Sequence, residues 1–148
     1  MTSVVKATDS QMEAITRIAF GFEKETAYVK VDFDHAVASY RDFVASGIGG
    51  MLALLDDTDT VIGGLGYVIA PDLHYPRTLA VETFWYVDPS SRGGGILLLN
   101  AFEALAVELN CDCVAMVHMV DSSPEQLEKL YARRGYEIVE KHYVKELL

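Results

Sequence analysis

Cysteine is nearly absent from this sequence, with two residues in 148. Cys111 and Cys113 are too few and too close to frame a disulfide-stapled fold, and they lack the two-residue gap of a zinc or thioredoxin pair. Basic residues are also scarce: 12 Lys and Arg stand against 22 Asp and Glu, a formal charge of −10. Neutralising phosphates takes clustered cations, so a general nucleic-acid binder is excluded, and the balance suits a partner that carries an amine. No apolar run approaches the roughly 18 residues of a membrane span. The opening MTSVVKATDSQMEA has no basic region followed by an apolar one, so no secretory signal is read and a cytoplasmic chain with reduced thiols is expected. Repeats and low-complexity linkers are missing too, as is any His/Cys/Asp/Glu group at metal-ligand spacing.

What is present suits one domain over 1–148, long enough to bury a core without staples. Residues 3–7 suit a first strand, and Ser10-Gln-Met-Glu13 has the form of a capping box ahead of Met12, Ile15, Ile18 and Phe22 at helical spacing. A second helix is predicted from near Asp34 through Val37, Tyr40 and Val44 to a stop at Gly47. Strands follow at 51–55 and 61–70, joined by an acidic turn, and the glycines at 63, 64 and 66 signal a bulge or a close backbone contact. The run TLAVETFWYV (78–87) reads as a central strand. Residues 96–110 are helical, with Leu98, Ala101, Leu105 and Leu109 toward the core, and 113–119 reads as a buried strand. Ser123 caps a last helix that carries Leu127, Leu130 and Tyr131 and stops at Gly135, and 136–147 reads as extended. The order predicts an α/β (α+β) fold, a mixed sheet with helices on its faces.

Between the central strand and the next helix lies DPSSRGGGILLL, residues 88–99. A helix start leaves amide N–H groups without internal partners and adds a partial positive charge. Bare glycines there let a bulky anion approach the backbone, and Arg92 adds a planar cation suited to phosphate oxygens. A diphosphate cradle and a ligand-free glycine turn both satisfy this pattern. A P-loop would need Gly-Lys-Ser/Thr after the glycines, and a dinucleotide fingerprint would need glycine where Leu98 stands.

Val87-Asp88-Pro89 followed by Arg92-Gly93-Gly94-Gly95-Ile96-Leu97 resembles the acetyl-CoA motif of the Gcn5-related N-acetyltransferase (GNAT) superfamily, Gln/Arg-x-x-Gly-x-Gly/Ala after a strand ending in Val-x-Pro. Leu130-Tyr131-Ala132-Arg133-Arg134-Gly135-Tyr136 is similar to its Leu-Tyr-x-x-x-Gly-Phe/Tyr segment, and the element order agrees along nearly the whole chain. Leu97 stands at a Gly/Ala position, and Pro124 stands where the family often has asparagine.

The resemblance implies a mostly antiparallel sheet and an acetyl-CoA-dependent enzyme that acylates a small-molecule or protein amine. Backbone groups of Trp85, Tyr86 and Val87 would meet the pantetheine. The amides of Gly93, Gly94, Gly95, Ile96 and Leu97 would hold the diphosphate, with Arg92 at the mouth. The cofactor would lie where the strand ending at Val87 splays from 113–119. Glu82, a carboxylate in an otherwise apolar strand, is the candidate base and Tyr131 the candidate acid; both also fit plain structural roles. His118 is a weaker base candidate, since a lone histidine in an apolar strand is more often a core residue. His74, Tyr75 and Asp121, with the Trp85 and Tyr86 rings, are candidate walls for an ammonium group. A catalytically idle acyl-CoA-binding module and a nucleotide-phosphate protein are the competing readings. A homodimer through the terminal strands is compatible with the pattern.

Overall fold

Five stretches crowded with Val, Leu, Ala and aromatic residues pair into one open sheet in the computed structural model, which describes residues 1–19, 30–118 and 124–147. The chain divides into two compact units, Met1–Val117 and His118–Leu148. In the first, β1 (Ser3–Lys6), β2 (Gly49–Leu55), β3 (Val61–Pro71), β4 (Thr78–Val87) and β5 (Cys113–Ala115) lie in that order across the sheet. Pairing is antiparallel from β1 to β4, and β5 joins β4 in parallel. The mixed, mostly antiparallel sheet expected from the sequence is therefore what forms.

Among the described residues of this unit are three helices: α1 (Asp9–Ile18), α2 (Phe33–Ser46) and α3 (Gly95–Glu108). The cap of α1 is Thr8 rather than the expected Ser10. Its Oγ1 accepts from the Gln11 amide at 3.3 Å while Gln11 Oε1 accepts from the Thr8 amide at 2.9 Å. The sheet still holds Ala7 through Met51, so the chain turns off it at Thr8 and the helix starts at once. Asp32 caps α2, and Gly47 closes it in the left-handed region at φ 71°, where a side chain would be strained.

The main core lies between α3 and the sheet. Leu98, Leu99 and Phe102 are fully buried, joined by Leu52, Leu54, Leu65, Ala80 and Val87. Each buried Leu, Val or Phe side chain stabilises the fold by roughly 1.5–3 kcal/mol. Leu109, expected in this stripe, is exposed instead: α3 ends at Glu108, and Leu109 is the cap residue through which the chain leaves the helix. A second cluster of Met12, Ile15, Met51, Ala53 and Leu55 lies with Tyr40 and Phe84 against it.

Two expected strands differ. The β5 strand ends at Ala115 where 113–119 was expected, residue 119 lying outside the described residues, and its residues are half-buried. No strand is assigned among the described residues from 136 to 147. Alternation and β propensity describe a fit to a pleated surface and do not supply a ladder partner; the adjacent pair Ile138-Val139 also breaks the two-residue period. The second unit contains α4 (Pro124–Arg133), followed by Gly135 at φ 83°. The proposed cap Ser123 lies outside the described residues. Among the described residues no helix is long and apolar enough to cross a membrane.

Candidate active site

The sheet forks at Glu82. Up to that point β4 and β5 run side by side, with Leu79, Ala80 and Val81 opposite Cys113, Val114 and Ala115, and there the ladder stops. On its other edge β4 takes one extra residue. Gly66 faces Phe84 and Tyr67 faces Glu82, so Thr83 is bulged between them. A bulge bends its strand and increases the local twist, which is why β4 parts from the 113–117 segment here and why β5 is shorter than its sequence suggests.

Glu82 is 3% exposed, at the root of this fork. A carboxylate without water around it resists ionisation. Burial pushes the Glu82 carboxyl up to about 8, with the Val117 amide, which donates to Oε1 at 3.4 Å, pulling the other way. A carboxyl in that range is suited to exchange a proton with an amine near neutral pH. Beside it, the Tyr40 hydroxyl from α2 is bonded to Thr83 Oγ1. Burial pushes Tyr40 up to about 12, Thr83 opposing and the charge of Glu82 adding to it.

The glycine segment follows the far end of β4. Asp88 Oδ1 accepts from the amide and hydroxyl of Ser90, which turns the chain into a 3-10 segment over Pro89–Gly94. Helix α3 then begins at Gly95, with no side-chain hydrogen bond capping it and no acidic residue in its first turn. The three glycines differ in what surrounds them. A Cβ on Gly94 would sit 2.6 Å from Leu54 Cδ2, and one on Gly95 would touch Trp85 Cζ2 at 3.3 Å. No described atom lies within 4 Å of a Cβ on Gly93, and its φ is not left-handed. Gly94 is thus bare for packing, Gly95 lies tight against Trp85, and Gly93 has open space around it. We predict that Gly94→Ala costs about 1–3 kcal/mol, because Leu54 is fully buried and has nowhere to withdraw; a denaturant midpoint at unchanged slope measures it.

A cavity of about 450 Å³ beside the segment is lined by Ser90, Ser91, Gly93, Gly94, Asp56 and Asp57 among others. The carboxylates of Asp56 and Asp57 give one wall of that cavity negative charge.

The side chains of Tyr86 and Val87 are buried and that of Trp85 is half-buried. Ile96 and Leu97 are partly exposed on the first turn of α3. Arg92 belongs to the 3-10 segment by its backbone, and its side chain lies outside the described atoms. His74 and Tyr75 sit in the turn before β4, both well exposed, with the His74 amide donating to Asp72 and Arg77 lying over the Tyr75 ring. At about 3.3 Å per residue, that turn is roughly 13 Å along the strand from Glu82, so these two side chains are not gathered around the carboxylate. Asp121 lies outside the described residues. In the second unit, Tyr131 packs its ring on Tyr136 at 5.4 Å, and its carbonyl accepts from the Tyr136 amide. Sequence reasoning placed Tyr40 on the second helix and missed its bond to Thr83; the glycine opposite the bulge, Gly66, was the available signal.

A model described as the acetyltransferase (GNAT) family matches residues 11–136. Solved structures share the fold. An acetyltransferase of Trypanosoma brucei is 16% identical with a TM-score of 0.75, covering 99% of this chain and 100% of that one. A transcriptional regulator from Bacillus halodurans is 16% identical with a TM-score of 0.78, over 99% of this chain and 100% of that one. The glucosamine-6-phosphate N-acetyltransferase of Arabidopsis thaliana is 12% identical with a TM-score of 0.75, over 99% of each chain. A search of curated proteins found no match.

Proposed function

This chain belongs to the GNAT acetyltransferase family, and from that premise we propose that it transfers an acetyl group from acetyl-CoA to a primary amine. The observation that carries the reading is Glu82, a buried carboxylate held near pKa 8 where the sheet opens. An ionised Glu82 takes the proton that an ammonium must lose before it attacks a carbonyl. Burial there is costly to the fold, and a proton-transfer role is what such a cost supports.

The α3 start fits a diphosphate in kind. It lacks a side-chain cap and acidic neighbours in its first turn, and Gly93 leaves room for a bulky anion. The amides of Gly93 to Leu97 would hold that group, and Arg92 would add charge. When bound, the thioester supplies an activated acetyl group and a thiol leaving group. Tyr131 is assigned the proton that goes to the sulfur; this rests on the Leu130–Tyr136 motif. The acidic balance of the chain favours a cationic acceptor, with His74, Tyr75 and Asp121 as the residues to test for its recognition. Two free cysteines suit a cytoplasmic setting.

Calorimetry with acetyl-CoA, followed by an amine library read out as free thiol, tests the proposal. Saturable heat and amine-dependent thiol release are the expected results. Heat without thiol release from any amine would replace the enzyme with an idle acyl-CoA-binding module, and stabilisation by ATP but not by CoA would overturn both.

A further inference from the structure

We propose that Tyr40 is a positioning residue: its hydroxyl, latched to Thr83, fixes the β4 bulge and thereby aims Glu82 at the fork of the sheet. The inference rests on the reading of Glu82 as the base and adds a residue from another element to that machinery.

The argument starts from the bulge. Successive strand residues point to opposite faces, so Thr83 and Phe84 should not meet the same partner. Yet Tyr40 reaches both: its hydroxyl bonds Thr83 Oγ1, and its ring stands edge-on to Phe84 at 5.8 Å and 90°. The extra residue turns both side chains toward α2. A bulge left to itself is a weak determinant of direction, because a slip of one residue reverses every side chain beyond it. Here the slip is blocked from two sides. Gly66, opposite Phe84, has no side chain, and a Cβ there would lie 2.4 Å from the Phe84 ring and 2.5 Å from the Tyr40 hydroxyl. The room under the bulge is thus filled by Tyr40 and Phe84.

Tyr40 is itself well anchored. Its ring packs edge-on to Phe43 at 5.6 Å on the same helix. Arg41, the next residue, ties α2 to α1 through Asp9 at 2.6 Å and Glu13 at 2.6 Å. The hydroxyl therefore acts from a fixed point. If the latch is lost, the bulge can migrate toward Glu82, and the carboxyl leaves the Val117 amide that donates to it.

The test needs no acceptor. The probe is the Val117 amide, followed by hydrogen exchange in Tyr40→Phe, Thr83→Val and Thr83→Ser. The first two delete the latch and keep shape; the third keeps a hydroxyl. Expected is a roughly tenfold loss of Val117 protection in Tyr40→Phe and in Thr83→Val, equivalent to about 1.4 kcal/mol. Thr83→Ser should exchange like the parent, the double variant Tyr40→Phe/Thr83→Val should be no worse than either single change, and the Leu54 and Leu65 amides should keep their protection in all. Unchanged Val117 exchange in both deletion variants overturns the proposal, as does an equal loss in Thr83→Ser. A separate assay of Glu82→Gln on acetyl-CoA with the amines of the library keeps the two ideas apart. Full activity there removes the base, whereas an inactive Glu82→Gln beside an unaltered Val117 in Tyr40→Phe removes only the latch.

Discussion

Glutamine in place of Glu82 is expected to slow acetyl transfer about a thousandfold, within the span of general acid–base catalysis, and at the same time to raise the melting temperature at neutral and alkaline pH. Both effects come from one fact, that the carboxyl is 3% exposed and titrates near 8 in the fold against 4.5 in the open chain. The stability effect has a definite sign. Below pH 4.5 the group is neutral in both states and costs nothing by ionisation. Between 4.5 and 8 the unfolded chain ionises while the folded one does not, so rising pH favours unfolding by about 1.4 kcal/mol per pH unit. Above 8 the penalty levels off at a few kcal/mol. Glutamine removes the ionisation and keeps an oxygen for the Val117 amide. Melting curves of the two proteins should therefore nearly coincide at pH 4 and separate by several degrees at pH 9.

The kinetic side follows from the same titration. A base must be ionised to act, so kcat/KM should rise through pH 7 and level off above about 8, with roughly one molecule in ten competent at pH 7. Turnover in Glu82→Gln equal to that of the parent would show that another group takes the proton, and a pH profile flat between 6 and 9 would show the same.

Much of this site was legible in the sequence because it is local. A carboxylate inside TLAVETFWYV stands out against its neighbours, and the glycine run announces a bare helix start. The β4 boundaries were recovered at 78–87 for the same reason, since β-branched and aromatic residues crowd one segment. What escaped depends on residues far apart. The bulge is a matter of register between β3 and β4, which no single strand encodes, although Gly66 hinted at it. Tyr40 sits at helical spacing with Val37 and Val44 and so marks only a helix, while its hydroxyl meets Thr83, 43 residues away. The length of β5 is set by where β4 bends, and Val114 or Met116 carries no mark of that. Capping was misplaced by two residues because Thr8-x-x-Gln11 and Ser10-x-x-Glu13 both satisfy the same pattern, and the hydrogen bond that holds Ala7 to the sheet decides between them.

The glycine segment yields the second large effect, because the structure separates reasons that the sequence leaves merged. Gly94 faces Leu54, so its bareness belongs to packing, and Gly95 lies tight against Trp85. Gly93 faces open space with an ordinary backbone, and a residue with a side chain would fit the fold there at no steric cost. Glycine also carries the largest conformational entropy loss on folding, so keeping it where nothing internal requires it points to a group that arrives from outside. Glutamate at this position puts both bulk and negative charge against a diphosphate. Gly93→Glu should therefore weaken acetyl-CoA binding by at least about a hundredfold, near 2.7 kcal/mol, while the melting temperature stays within a degree or two of the parent. Gly93→Ala, with bulk alone, should fall between them, and Gly94→Ala should lose stability first. Titration calorimetry of acetyl-CoA on the three variants gives the order. If Gly93→Glu binds as tightly as the parent, the anion does not lie against this backbone, and the glycines of the segment serve only the approach of α3 to Leu54 and Trp85.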